Sequence, residues 1–354
     1  MPQSQAPEDR STLAFCVCPA SINTMIGTSP ASTAFADVYR LIRDDLARAE
    51  AVFQAELQSD LSMVNELAAR ASQYRGKMLR PSLLLLMARA GGKLTPDHHV
   101  VAAVVEMVHV ATLVHDDVLD AADERRGQPT IKTLSGNVAA VLLGDYLISH
   151  AYHLCSSLKD QHAARRIGAT TNTVCEGELL QNHHRGDPDL TVATYMDIIA
   201  RKTGALTATA CELGAYHAGC DPRRIEAARQ YGMSLGVAFQ IVDDVLDITG
   251  DAHKVGKTLG IDLALGKLTL PVLHGLGAAS PEVQTAIRDA VTQRSSVSGD
   301  QLRRWLDQTA SIDFALAQAR HHVADALSAL HEFPPSDART SLQQLAGFVV
   351  QRQQ

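Results

Sequence analysis

From about Ala34 onward, apolar residues return at helical spacing, beginning with Leu41, Leu46, Ala49, Phe53 and Leu57, which line one face of an α-helix. Ala, Leu, Glu, Arg and Gln dominate the rest of the chain, and all of them are good helix formers. Alternating β-branched stretches bounded by hairpin signals are nearly absent. Gly and Pro punctuate the pattern at Gly76, Gly91-Gly92, Arg126-Gly127-Gln128-Pro129, Arg185-Gly186-Asp187-Pro188, Gly219-Cys220-Asp221-Pro222, Gly250-Asp251, Gly266 and Pro334-Pro335. These residues end helices because Pro lacks an amide hydrogen and Gly readily takes the left-handed cap. The pattern predicts an all-α bundle of about ten helices.

The 354 residues exceed the usual single-domain length, but no Pro-, Gly- or Ser-rich linker divides them. The expected organisation is a loosely ordered tail over residues 1–33, rich in Ser, Thr, Pro and Ala, and one helical domain over residues 34–354. A net charge of -7 lacks the basic footprint that sequence-independent nucleic-acid binding requires. Apolar runs such as Leu83 to Ala88 and Val100 to Val105 are interrupted by charged or polar groups, so no transmembrane helix is expected. Leu13 to Pro19 is too short, and lacks the basic flank, to be a signal peptide. The six cysteines, at positions 16, 18, 155, 175, 211 and 220, form no CxxC pair, which points to a reduced, cytoplasmic chain. Cys16 and Cys18 have no matching ligand pair at zinc spacing.

The informative feature is an internal echo. His115-Asp116-Asp117-Val118-Leu119-Asp120 is answered by Val242-Asp243-Asp244-Val245-Leu246-Asp247, each copy closing an apolar helical stretch. Carboxylates at i and i+4 project from one face a turn apart, with the i+1 carboxylate beside them. One such cluster reads as a solvated helix end. Two of them, each crowding like charges where a helix dipole is negative, require compensating cations. Oxygen-only ligands select Mg2+ or Ca2+ over zinc, and Mg2+ characteristically completes its shell with water and substrate phosphate oxygens. Basic residues lie around both clusters: Lys77 and Arg80, Arg125 and Arg126, Lys202, Lys257 and Lys267. Each alone would be a solvated surface charge, but together they suit a diphosphate, held by Arg as a fork and by Lys as a point charge.

Gly76-Lys77-Met78-Leu79-Arg80-Pro81, the first aspartate motif with Arg125-Arg126-Gly127, Glu176-Gly177-Glu178, Lys202-Thr203-Gly204, Phe239-Gln240 with the second aspartate motif, and Gly256-Lys257 through Gly266-Lys267-Leu268-Thr269-Leu270-Pro271 follow in one order. Together they resemble the trans-polyprenyl diphosphate synthase family over roughly residues 34 to 350. The resemblance implies a helical bundle with a central active-site cavity, a homodimer and a Mg2+ cofactor. It also implies a reaction that joins an allylic diphosphate primer to isopentenyl diphosphate, head to tail. It assigns Asp116, Asp117, Asp120, Asp243, Asp244 and Asp247 to the metal, and Lys77, Arg80, His109 and Arg126 to isopentenyl diphosphate. Arg125, Lys202, Thr203, Gln240, Lys257 and Lys267 fall to the allylic substrate. His109 alone would be an ordinary core or surface histidine; its place seven residues before Asp116 singles it out.

Charge then dictates the chemistry. Ionising the allylic C–O bond leaves diphosphate and an allyl cation, so positive groups must wait where the negative charge develops. The isopentenyl double bond attacks that cation, water must be kept out, and the departing diphosphate is expected to take the final proton. Product length is read from the helix descending from Asp116, where the family's short-chain members place a bulky aromatic. Here Thr112, Ala111 and Val108 occupy that wall, with Val105 and Val104 below, and a long-chain product beyond geranylgeranyl is expected. These small residues equally suit plain helix packing, and Tyr146 or Tyr152 could supply the stop instead. Shorter-chain synthases, a class I terpene cyclase and a noncatalytic synthase subunit are the alternatives. The cyclase has no use for a second diphosphate site, and such subunits usually lack one aspartate motif. Glu176 and Glu178 are expected to support basic residues, and Asp123-Glu124 to be a solvated turn. His183-His184 and His321-His322 are adjacent pairs whose side chains diverge on a helix.

Overall fold

The computed structural model describes residues 39–74, 76, 78–250, 261–292 and 296–351. Lys77, Lys257, Cys16, Cys18 and the 1–33 tail lie outside the described residues. The described chain is helical almost throughout: α1 (Arg43–Glu56), α2 (Ser62–Tyr74), α3 (Leu79–Gly91), α4 (Pro96–Leu119), α5 (Ile131–Ser156), α6 (His162–His183), α7 (Val192–Ile199), α8 (Ala205–His217) and α9 (Pro222–Thr249), then α10 (Ile261–Ala264), α11 (Leu270–Ala278), α12 (Pro281–Val291), α13 (Gly299–Gln308), α14 (Ser311–Ala329) and α15 (Asp337–Gln351). Among the described residues helices outnumber the ten expected because the C-terminal third is cut into short segments, two of them with a Pro in the first turn.

Local signals explain the long helices. Thr95 and His98 form a reciprocal cap ahead of Pro96, and the same His98 ring reaches across to the carbonyl of Gly214 at 3.1 Å. Asp221 accepts from the amides of Arg223 and Arg224 at 3.0 and 3.1 Å to start α9. α3 and α8 lie at the centre. Leu83 through Ala88 are fully buried, so α3 is apolar all round, as an interior helix must be. α4, α8 and α15 pack on it; α5 lies along α4, and α14 along α9.

Small residues set the spacing of the central helices. A side chain at Gly214 would overlap the carbonyl oxygen of Leu84, and a Cβ at Gly236 would lie 2.9 Å from the Cα of Gly204. α8 is thereby drawn against both α3 and α9, and α9 carries the second aspartate stretch.

α4 and α5 are long and apolar enough, by length and composition, to cross a membrane. Length and composition do not distinguish a membrane span from a buried core helix, which passes the same test. α4 spends that apolar surface inside the bundle, where 72% of its most apolar window is buried. α5 is covered on one side only and leaves Leu134, Val138, Val141 and Leu142 exposed.

Replacing Gly214 with Ala should cost about 1–3 kcal/mol, because the obstructing atom is backbone and cannot swing aside. The denaturant midpoint should fall with an unchanged slope.

Candidate active site

Both aspartate stretches sit at helix C-termini. Asp120 caps α4 with its amide on the Asp116 carbonyl, and the second stretch occupies the last turns of α9. The negative end of each helix dipole therefore points at its own carboxylates, and nearby cations compensate.

Beyond α4 the chain makes a two-stranded hairpin, pairing Glu124 with Pro129 and Arg125 with Gln128. Its two turn residues, Arg126 and Gly127, have φ of 53° and 71°, a left-handed pair that matches the twist of a two-residue hairpin. Asp123-Glu124, expected as a solvated turn, is solvent-exposed, with Glu124 the first residue of this hairpin and Asp123 taking Lys132 at 3.0 Å. The hairpin folds Arg125 back onto Asp117, with Nε and Nη2 donating to Oδ1 at 3.0 and 2.7 Å. Arg126 points the other way and donates to the Tyr74 carbonyl at 3.0 Å. Gly76 leaves it room, since a Cβ there would lie 2.6 Å from Nη2.

Between α7 and α8 the helix widens to a π-turn over Ala200–Gly204, an insertion that re-aims side chains and recurs at functional sites. Here it presents Lys202 to Asp116, with Nζ 3.7 Å from Oδ2, while Glu178 pairs with the same Nζ. Burial alone would lower the Lys202 pKa, but Asp116 and Glu178 outweigh it and raise it. Burial pushes the Asp116 carboxyl up, with Lys202 opposing. The Glu-Gly-Glu motif makes this approach possible, because a Cβ at Gly177 would lie 2.8 Å from the Lys202 amide nitrogen. Glu176 takes Arg201 at 2.8 Å.

Thr203, the next residue, connects the π-turn to the second stretch. Its hydroxyl donates to Gln240 Oε1 at 2.8 Å, and Gln240 Nε2 donates to Asp244 Oδ1 at 2.8 Å. Tyr195, missed in the sequence, donates its hydroxyl to Asp244 Oδ2 at 2.6 Å. Asp244 is 5% exposed; burial, with Asp262 adding to it, pushes its pKa up to about 8. Asp247 Oδ2 accepts from the Asp262 amide at 3.3 Å.

A third cation closes the gap between the stretches. Lys267 Nζ lies 2.8 Å from both oxygens of Asp120, while its amide donates to the Asp262 carbonyl at 2.8 Å. The turn presenting it is clamped by a loop read in the sequence only as a helix break. Arg185 Nε donates to the Leu265 carbonyl at 2.7 Å, and the Gly186 amide to the Gly266 carbonyl at 2.8 Å.

Arg80 and His109 lie together, half-buried, Nη1 to Nε2 at 3.0 Å. A guanidinium can only donate, so Nε2 accepts and the ring proton sits on Nδ1. Burial holds the His109 pKa well below its ordinary value, helped by Arg80, Arg126 and Arg125. Burial also lowers Arg80, against Glu106 and Asp243, which places Arg80 within the field of the second stretch. On α4, Val108 and Ala111 are buried in the core, and half-buried Thr112 bonds its hydroxyl back to the His109 carbonyl at 2.7 Å. His184 bonds Asp187 at 2.7 Å, and His321 lies 3.8 Å from Asp325.

The donor set suits a hard divalent cation. The ligand atoms are carboxylate oxygens, and Asp117 Oδ2 is buried with no hydrogen-bond donor among the described residues. Desolvation raises the pKa of half-buried Asp116 and of buried Asp244, a rise that nearby positive charge opposes.

A helical bundle with two such aspartate stretches, the first answered by lysine and arginine and the second by neutral donors, is the architecture of the all-α isoprenyl diphosphate synthases. The chain belongs to the polyprenyl synthetase family, whose model matches residues 62–307. It is 35% identical over 316 residues to the octaprenyl diphosphate synthase of Escherichia coli, covering 89% of this chain and 98% of that one. It is likewise 35% identical over 315 residues to heptaprenyl diphosphate synthase component 2 of Geobacillus stearothermophilus, covering 89% and 98%. Among solved structures, polyprenyl synthase from Caulobacter crescentus, complexed with calcium and isoprenyl diphosphate, superposes with a TM-score of 0.86 at 34% identity, covering 90% of this chain and 98% of that one. Enzymes of this family transfer prenyl groups, and so does this chain.

His109 gives a pH signature. Its folded pKa is depressed, so as pH falls through the unfolded value near 6.5 the unfolded chain takes up a proton that the folded chain refuses. Stability contributed by neutral His109 is full above that pH and is lost below it. The denaturation midpoint should fall between pH 7.5 and 5.5 (about one unit either side of that value), and His109→Gln should reduce the fall.

Proposed function

We propose that this chain is a Mg2+-dependent synthase that condenses an allylic diphosphate primer with isopentenyl diphosphate, giving an all-trans, long-chain polyprenyl diphosphate. The observation that carries the reading is the approach of the two aspartate stretches to each other through one π-turn. Lys202 faces Asp116, while its neighbour Thr203 is tied through Gln240 to Asp244. Magnesium bound by Asp116, Asp117, Asp120, Asp243, Asp244 and Asp247 would supply the positive charge that a departing diphosphate needs.

Lys202, Lys267, Arg125, Thr203, Gln240 and Lys257 then hold the allylic diphosphate. Lys202, Lys267 and Arg125 lie against Asp116, Asp120 and Asp117, where an anion bound over the aspartates could share them. Lys77, Arg80, His109 and Arg126 hold the isopentenyl diphosphate. Among the described residues Arg80 Nε is buried without an acceptor, which leaves that donor for a phosphate oxygen, and the His109 ring accepts from Arg80 Nη1 through Nε2. Fixing both diphosphates aligns the reacting carbons.

Val108, Ala111 and Thr112 line the path of the growing chain, and the absence of an aromatic there favours a long product, as in the octaprenyl and heptaprenyl relatives. A homodimer in the cytoplasm accords with the exposed apolar residues Val138, Val141 and Leu142 on α5 and with free thiols at Cys155, Cys175, Cys211 and Cys220. The relative named as a component favours a second reading, in which the chain acts only beside a partner subunit.

The test incubates purified protein with labelled isopentenyl diphosphate, an allylic primer and Mg2+, then resolves the products by length. Label in chains beyond geranylgeranyl is expected, and Asp116→Asn or Asp244→Asn should lower kcat by at least ~100-fold. Cyclic hydrocarbon without incorporation would select a cyclase; silence relieved by a second subunit would select the component reading. Ala111→Phe should shorten the product, and an unchanged length distribution would remove this helix as the floor.

A further inference from the structure

Well away from the aspartates, three ligand atoms converge between α1 and α5. Glu56 Oε1, at the end of α1, faces Nδ1 of His150 at 2.8 Å and Nδ1 of His153 at 2.6 Å. All three atoms lie within 4.8 Å of one another. The two histidines stand at i and i+3 on α5, so both imidazoles leave one face of the helix. Glu56 and His150 are largely enclosed, at 13% and 25% side-chain exposure, whereas His153 at 73% leaves the group open to solvent. Tyr146 packs its ring against His150, centroids 4.2 Å apart, and fixes that imidazole's orientation.

This group is separate from the diphosphate site. Gly144 is the point where α5 touches His115, beside Asp116; His150 and His153 lie six and nine residues further on, about 9 and 14 Å along a helix.

We infer that Glu56, His150 and His153 form a second metal site, a two-histidine, one-carboxylate site for a borderline transition ion such as Zn2+, with solvent completing its shell. Imidazole nitrogen favours Zn2+, Co2+ or Ni2+ and disfavours Mg2+, so this site and the oxygen-only aspartates sort different ions. The carboxylate oxygen can only accept, so each neutral imidazole now carries its proton on Nδ1. Metal binding moves that proton to Nε2 and frees Nδ1 as ligand. The bound ion cross-links α1 to α5 and should stabilise the folded chain by mass action.

The test titrates Co2+ into the metal-free, full-length protein in a large excess of Mg2+, following the visible d–d absorption, and then displaces it with Zn2+. The chain has 15 histidines, so the decisive quantity is the difference between proteins. Wild type should bind one equivalent that His153→Ala and Glu56→Ala bind at least ~10-fold more weakly, while Asp116→Asn binds it unchanged. Zn2+ should raise the thermal midpoint of wild type and not that of His153→Ala. Because His153 is mostly exposed, an unchanged metal-free midpoint in that variant certifies its fold. If wild type and His153→Ala titrate alike, or if no Co2+ band develops, the three residues are a hydrogen-bonded triad only and the inference is overturned.

Discussion

Negative charge placed against the negative end of a helix dipole is the constraint on which the rest of this structure depends. α4 and α9 each end in three aspartates, and Asp117 and Asp244 are almost fully buried there. Burying a carboxylate is costly unless it is paired or neutralised. The protein answers in three ways: guanidinium on Asp117, ammonium on Asp116 and Asp120, and neutral donors on Asp244. The rise of Asp244 to about 8 shows that the third answer is incomplete. A site so short of positive charge favours divalent cations and the diphosphates that travel with them.

The supporting architecture exists to bring these groups within reach of one another. α8 can run close to α3 and α9 only because Gly214, Gly232 and Gly236 carry no side chains where backbones meet. Its N-terminal π-turn adds a residue to the helix, and that extra residue lets Lys202 and Thr203 serve different aspartate stretches. Gly177 does the same for α6, admitting the π-turn so that Glu178 can hold Lys202. Interior packing is dense and bistable rather than compliant, so a methyl group at such a point would be felt at the charges.

The same economy of surface explains the outer helices. α4 spends an apolar span of near membrane length on its neighbours. α5 is covered on one side, keeps an apolar stripe outward, and near its end turns His150 and His153 toward α1. One helix thus serves the wall beside α4, an uncovered surface and a polar cluster, because the faces of a helix are independent.

The helical class, the bundle and the crowding of carboxylates at two helix ends were legible in the sequence because they rest on local rules. Periodicity marked α1, and Gly and Pro marked the ends of α3, α8 and α9. The repeated i, i+1, i+4 carboxylates stated a charge problem that any helix would share. Tyr195, the Arg185 clamp on the Lys267 turn and the two-residue hairpin that separates Arg125 from Arg126 were not legible. Neither was the meeting of Glu56 with histidines more than ninety residues away. Those partnerships join positions distant in the chain, and their distances are set by how helices pack, a property no short stretch of residues encodes. The amino-acid order determined which groups the protein owns and the face of each helix they occupy; the tertiary structure alone decided which of them meet, because only packing fixes separation in space.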